Sequence, residues 1–172
     1  MSDKQRKIDD LVSRMTVEEK IGQCLTLHLA GTILAPYVVE FVEQYHPAGL
    51  RTTPHIYTAE PYGNRFDDKG HVKSQRLSPY LLPDAYADLI NRVQNLALGS
   101  RLGIPMYFCS DQEGDLSQDY CRGGVNLFPS QMGIAASGDS EFAYQCYSAV
   151  ARQNRAVGIR QLHTPCLDVN IE

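Results

Sequence analysis

The chain has 172 residues, 43% of them hydrophobic, enough for one domain with a core of its own. Charged residues make up 21% and sum to -4; Lys and Arg are scattered, which excludes a phosphate-binding patch and makes nucleic acid an unexpected partner. No apolar run is long enough to cross a bilayer, and the polar residues 1–7 contain no signal-like apolar segment, so the expected location is cytoplasmic, without membrane contact.

Residues 8–23 read as a helix interrupted by a fresh start, because Thr16 and Glu19 have the spacing of a capping box. The apolar run 24–29 suits a strand buried on both faces. Residues 36–45 read as a helix opened by Pro36, with Val38, Val39, Val42 and Tyr45 at helical spacing and Pro47 and Gly49 closing it. Residues 50–53 form a second short strand. The stretch 54–83 is rich in Pro, Gly, Tyr and charge without either period, and is too long for an ordinary connector. It is expected as a loop insertion, with Tyr57, Tyr62, Arg65 and Tyr80 as candidate walls of a ligand subsite.

Asp84 is placed as the cap of the next helix, which carries Leu89, Ile90, Val93, Leu96 and Ala97 and ends at Gly99 or Gly103. Residues 104–109 are the clearest strand. A loop follows over 110–138, with a short helical turn near 129–136. Asp139 opens a further helix running to Val157, Gly158 stops it, and residues 159–169 make a fourth strand. Strands separated by helical crossovers form parallel sheets, so the fold class is α/β. A doubly wound sheet and half of an eight-stranded barrel both fit. Two features favour the barrel: four strands fill somewhat more than half of a typical ~250-residue barrel, and no closing helix covers the last strand.

In either architecture, ligands bind where the strands end at their carboxyl termini. Ser110-Asp111-Gln112-Glu113-Gly114-Asp115 follows the third strand, and Asp168 with Asn170 lies at the end of the fourth. A carboxylate there suits a polyhydroxylated ligand, since charge-assisted hydrogen bonds are roughly twice as strong as neutral ones. The same position also suits a loop cap that bonds backbone amides. Asp111, Glu113 and Asp115 lack the ligand count of a calcium loop, and His55, His71 and His163 lack zinc spacing. No metal is expected. Glycine-rich nucleotide signatures and a nucleophile elbow are absent, and no cofactor is expected. The five cysteines are odd in number and contain no Cys-x-x-Cys pair, which reads as reduced, mostly buried thiols.

Four segments in order resemble the N-terminal barrel domain of family 3 glycoside hydrolases. They are residues 8–23; Leu102-Gly103-Ile104-Pro105 running into Ser110-Asp111-Gln112-Glu113-Gly114; Phe128-Pro129-Ser130-Gln131 through Asp139; and Arg155 through Asn170. The resemblance implies the N-terminal half of a (β/α)8 TIM-type barrel over residues 1–172. It also implies a retaining exo-β-glycosidase of the β-N-acetylhexosaminidase or β-glucosidase type, acting on a carbohydrate or glycoside. In such an enzyme a carboxylate nucleophile and an acid/base partner flank the scissile bond. The family's nucleophile lies on a later strand, so no catalytic residue is expected within these residues. Asp111 matches the family position that binds sugar hydroxyls, and Asp168 a strand-end position with a structural role.

One departure concerns the Asp-Gln-Glu-Gly opening, which resembles the acetylhexosaminidase branch. That branch continues to an Arg that contacts substrate, and Asp119 stands at its place here. Arg122 is the candidate replacement, so the substrate-binding residues expected are Asp111 and Arg122. Two alternatives stay open. One is a non-catalytic half of a split enzyme or a pseudoenzyme, completed by another chain or self-associating through the open barrel edge. The other is an independent four-stranded ligand-binding module. A half-barrel is expected to expose apolar barrel-facing side chains.

Overall fold

A computed structural model describes residues 2–53, 80–114, 119–120 and 123–166. The order is α1 (Asp3–Arg14), α2 (Val17–Gly22), β1 (Thr26–Ala30), α3 (Pro36–Tyr45), β2 (Gly49–Thr53), α4 (Pro83–Leu98), β3 (Tyr107–Ser110), α5 (Gln131–Ala135), α6 (Ser140–Ala156) and β4 (Gln161–Leu162). All strand pairs are parallel and the spatial order is β1-β2-β3-β4. Strands added one after another without reversal build a barrel wall, whereas a doubly wound sheet reverses at a switch point. No helix among the described residues is long and apolar enough to cross a membrane.

Local chemistry sets most boundaries. Thr16 and Glu19 form the expected capping box, and Arg101 donates to both Glu19 carboxylate oxygens. Those bonds, first from Arg101 and then from the Thr16 amide, hold the buried Glu19 carboxyl below its ordinary range. The first strand starts two residues later than expected, because the amides of Cys24 and Leu25 turn back to Ile21 and Gly22 and finish the helical turn. Helix α4 starts at Pro83, not at Asp84: a missing N–H costs nothing in the first turn, and Asp84 sits just inside, accepting from the Ala85 amide at 2.8 Å. The third strand is also shorter at its start. Pro105 has no amide to pair, and the Met106 amide goes to the Gln94 side chain at 3.0 Å. Helix α3 is closed by His46 in the left-handed region, with its carbonyl accepting from Gln23 Nε2 at 2.7 Å.

The core lies on one face of the sheet. Leu29, Leu50, Phe108 and Ile159 meet Val38 and Val42 of α3 and Tyr86, Leu89, Ile90 and Val93 of α4, each at most 4% exposed. Tyr86 shares a 2.5 Å hydrogen bond with Thr52 inside this layer. Helix α1 buries no residue, and Ile8 and Val12 are exposed.

The opposite face corrects the expectation of an apolar barrel-facing wall. Side chains alternate along a strand; the register places Thr26, His28 and Ala30 of β1 beside Gly49, Arg51 and Thr53 of β2, with Tyr107 and Cys109 of β3 and Gln161 of β4 next in line. That face is mostly polar, so β1 is buried on one side and exposed on the other. The Tyr107 hydroxyl crosses Gly49 to bond Thr26. Of the cysteines, Cys109 and Cys146 are buried, whereas Cys24 and Cys166 are exposed and do not fit the buried-thiol expectation.

Gly22 packs its Cα against the last carbonyls of α3, where a Cβ would overlap the Tyr45 backbone oxygen. Gly22→Ala is expected to cost about 1–3 kcal/mol or more, as overpacking against rigid backbone does. A urea titration checks it: an unchanged midpoint would mean that α2 and α3 are not so close.

Candidate functional site

Side chains from four strands converge where the sheet ends. Arg51 projects from β2 and makes a side-on fork to Asp111, just past β3, with Nε 3.3 Å from Oδ1 and Nη2 bonded to Oδ2. His163, just past β4, brings Nδ1 to 3.4 Å from Asp111 Oδ1 and is held there by its own amide bonding Ser110. His28 of β1 completes the row, with Nε2 2.9 Å from the Thr53 hydroxyl. The Asp111 side chain is 14% exposed, against 32% for Arg51 and 43% for His163. The carboxylate is therefore the least exposed of the three, flanked by Arg51 and His163 on a polar surface.

The Asp111 loop is held by its own backbone. Both oxygens of the buried Asp119 carboxylate accept amides, that of Glu113 at 2.6 Å and that of Gly114 at 2.7 Å. Gly114 has φ +77° and lies against Pro129 and Ser130, so a side chain there would clash with the entry to α5. On the other flank, Thr164 donates to the Gln112 carbonyl at 2.7 Å and accepts from Gln131 at 3.2 Å. Glu113 Oε1 lies 3.5 Å from Cys166 Sγ.

Electrostatics sort these groups. Partial desolvation among its sheet neighbours, then the Arg51 charge, pushes the His28 imidazole below its ordinary value. Burial pushes the Cys109 thiol up, which keeps it protonated and unsuited to nucleophilic attack. Among the described residues no cluster of three or more His, Cys, Asp or Glu has the arrangement of a metal site. The narrow cleft between Met15, Glu19, His46 and Met106 lies at the amino ends of the strands, remote from Asp111.

Of the sequence-derived candidates, Asp111 is at the centre. Arg122, Asp115, Asp168, Tyr57, Tyr62 and Arg65 lie outside the described residues. Asp119 acts on loop backbone. Sequence reading missed Arg51 and His28, and considered His163 only as a zinc ligand. Arg51 carried a usable signal, the single cation of a short strand.

The model of the glycosyl hydrolase family 3 N-terminal domain matches residues 16–172. A probable β-glucosidase C of Aspergillus flavus is 29% identical over 96% of this chain and 24% of its own length. A periplasmic β-glucosidase/β-xylosidase of Dickeya chrysanthemi is 31% identical over 95% of this chain and 23% of its own. The chain thus spans about a quarter of the curated relatives' length. A family 3 β-N-acetylglucosaminidase from Paenibacillus sp. superposes with a TM-score of 0.68 at 23% identity, covering 91% of this chain and 25% of that one. An exo-1,3/1,4-β-glucanase from a Pseudoalteromonas species gives 0.64 at 22% identity, over 93% and 17%. At these identities the two structures support the fold alone.

Two outcomes test the site's geometry. Asp119→Ala is expected to cost about 1–3 kcal/mol, the range for losing a charged acceptor of buried amides, read from a urea midpoint. His28 is expected to titrate below ~6.5, the ordinary histidine value. The unfolded chain then binds the extra proton first, so His28 makes acidification destabilising from about pH 6.5 downward, a loss that levels off below its folded midpoint. An NMR titration showing a midpoint at or above 6.5 would contradict the burial and the Arg51 field around it.

Proposed function

The chain belongs to the glycosyl hydrolase family 3 N-terminal domain family, and from that premise we propose that it is the sugar-holding part of a retaining exo-β-glycosidase. The observation that carries this reading is Asp111: a carboxylate held by Arg51 on the polar face of the sheet, at the carboxyl end of parallel strands. A carboxylate has about four acceptor positions, and a guanidinium fork uses two. His163 Nδ1 stands 3.4 Å from Oδ1, and acceptor capacity left open beyond these contacts suits a pyranose hydroxyl through a charge-assisted bond.

In this reading the enzyme cleaves by two displacements through a glycosyl intermediate, which needs a nucleophilic carboxylate and an acid/base group ~5–5.5 Å apart. Asp111 is neither. It orients the sugar, and the cutting pair comes from elsewhere in the enzyme. A terminal β-glucoside is favoured over an N-acetylglucosaminide for two reasons. Asp119, at the position of a substrate-contacting cation in the acetylhexosaminidase branch, is engaged by loop amides. The curated relatives matching nearly the whole chain are named as a β-glucosidase and a β-glucosidase/β-xylosidase.

Titration of the chain with methyl β-D-glucopyranoside, followed by NMR, is expected to show saturable shifts around Asp111 and His163. Asp111→Ala should weaken binding roughly 10- to 100-fold, the equivalent of losing a hydrogen bond to a charged group. Stronger binding of methyl N-acetyl-β-D-glucosaminide would reverse the sugar preference. No turnover of aryl β-glucosides by the 172-residue chain is expected; turnover that Asp111→Ala abolishes would overturn the division between holding and cutting residues.

A further inference from the structure

Arg51 has no place in the sugar-binding role given to Asp111, yet it makes that carboxylate's most specific contact. It lies within a strand, at a position where barrel interiors mostly carry branched apolar residues. A long cation is seldom placed there without a partner, and ordering its side chain costs rotamer entropy. Two explanations compete. In one, Arg51 neutralises Asp111 as a structural ion pair and takes it out of use. In the other, it aims Asp111.

We propose that Arg51 is a positioning residue that fixes the Asp111 carboxylate plane for accepting sugar hydroxyls, with His163 limiting rotation from the opposite side. The geometry favours aiming over neutralisation. A side-on fork engages one position on each oxygen and makes both bonds in the carboxylate plane, so rotation about the Cβ–Cγ bond breaks both together. His163 Nδ1, 3.4 Å from Oδ1, reaches the carboxylate from the next strand. The Asp111 backbone is independently fixed, since the Gln112 carbonyl is held by Thr164 and the Glu113 amide by Asp119. With main chain and side chain both set, hydroxyls meet a preorganised acceptor and less entropy is lost on binding.

This proposal rests on the sugar-holding reading of Asp111, and a double-mutant cycle separates the two. The probe is methyl β-D-glucopyranoside, with the dissociation constant taken from NMR shifts of the 172-residue chain and folding checked by circular dichroism. Arg51→Met is expected to weaken binding about tenfold, and Arg51→Lys by an intermediate factor, because an ammonium supplies charge without the fork. In the Asp111→Asn background, Arg51→Met should add less than a twofold further loss. Binding that is unchanged or tighter in Arg51→Met, while Asp111→Asn weakens it, would show that Arg51 only neutralises; the positioning role would fall and the sugar site would stand. Equal losses from Arg51→Met in both backgrounds would also overturn it, since Arg51 would then act without Asp111. If Asp111→Asn binds like the unsubstituted chain, or if that chain does not bind, the sugar-holding reading fails and takes the positioning role with it. Should Arg51→Met unfold, Arg51→Lys carries the cycle, and full affinity in that variant would refute the need for a fork.

Discussion

The fork between Arg51 and Asp111 sets a condition that the rest of the sheet has to meet. A carboxylate 14% exposed is costly to keep ionised without a partner. Its partners come from the two adjacent strands, and β2, in parallel register with β3, is the one that places a guanidinium beside its end. Putting a cation there makes that face of β2 polar, and its neighbours follow: His28 on one side, Gln161 and His163 on the other. The apolar side chains are then confined to the other face, where Leu29, Leu50 and Phe108 meet α3 and α4. One ion pair and a one-sided core are two aspects of the same alternation.

The carboxylates of this region divide the work according to what surrounds them. Asp119 is buried among amides and shapes the loop. Glu19 sits at the far end of the sheet, where it caps the start of α2 and anchors Arg101. Asp111 combines a charged partner with a position on the open polar surface. That difference is what sets it apart from the other two, and residue type would not have made it. The loop that carries it is braced from both sides, by Asp119 within the loop and by Thr164 and Gln131 from beyond β4 and from α5. The backbone on both sides of Asp111 is therefore fixed by the protein itself.

Local signals were legible wherever a residue acts on its immediate neighbours. The Thr16–Glu19 capping box, Pro36 in a first turn, and Asp139 bonding the Glu141 and Phe142 amides all do what their positions suggest. So does Gly158 behind α6, at φ +100°. Strand ends were read less well. Whether Cys24 and Leu25 finish a helix or begin a strand depends on which carbonyls lie within reach, and spacing does not contain that. The run that begins β1 looked buried on both faces, yet His28 and Thr26 stand on the open side. Periodicity in a five-residue strand is too short to distinguish a half-buried ribbon from a fully buried one.

By itself, the amino-acid sequence determined the α/β class, the alternation of strands and helices, the family resemblance and the place of Asp111 just past the third strand, because each depends on order along the chain. The choice of a barrel wall over a doubly wound sheet needed the strand order in space. So did the pairing of Asp111 with Arg51, 60 residues earlier, and with His163, from the far side of two helices. No local rule couples residues so far apart. The register of β2, β3 and β4 does, by fixing which side chains stand next to one another at the end of the sheet.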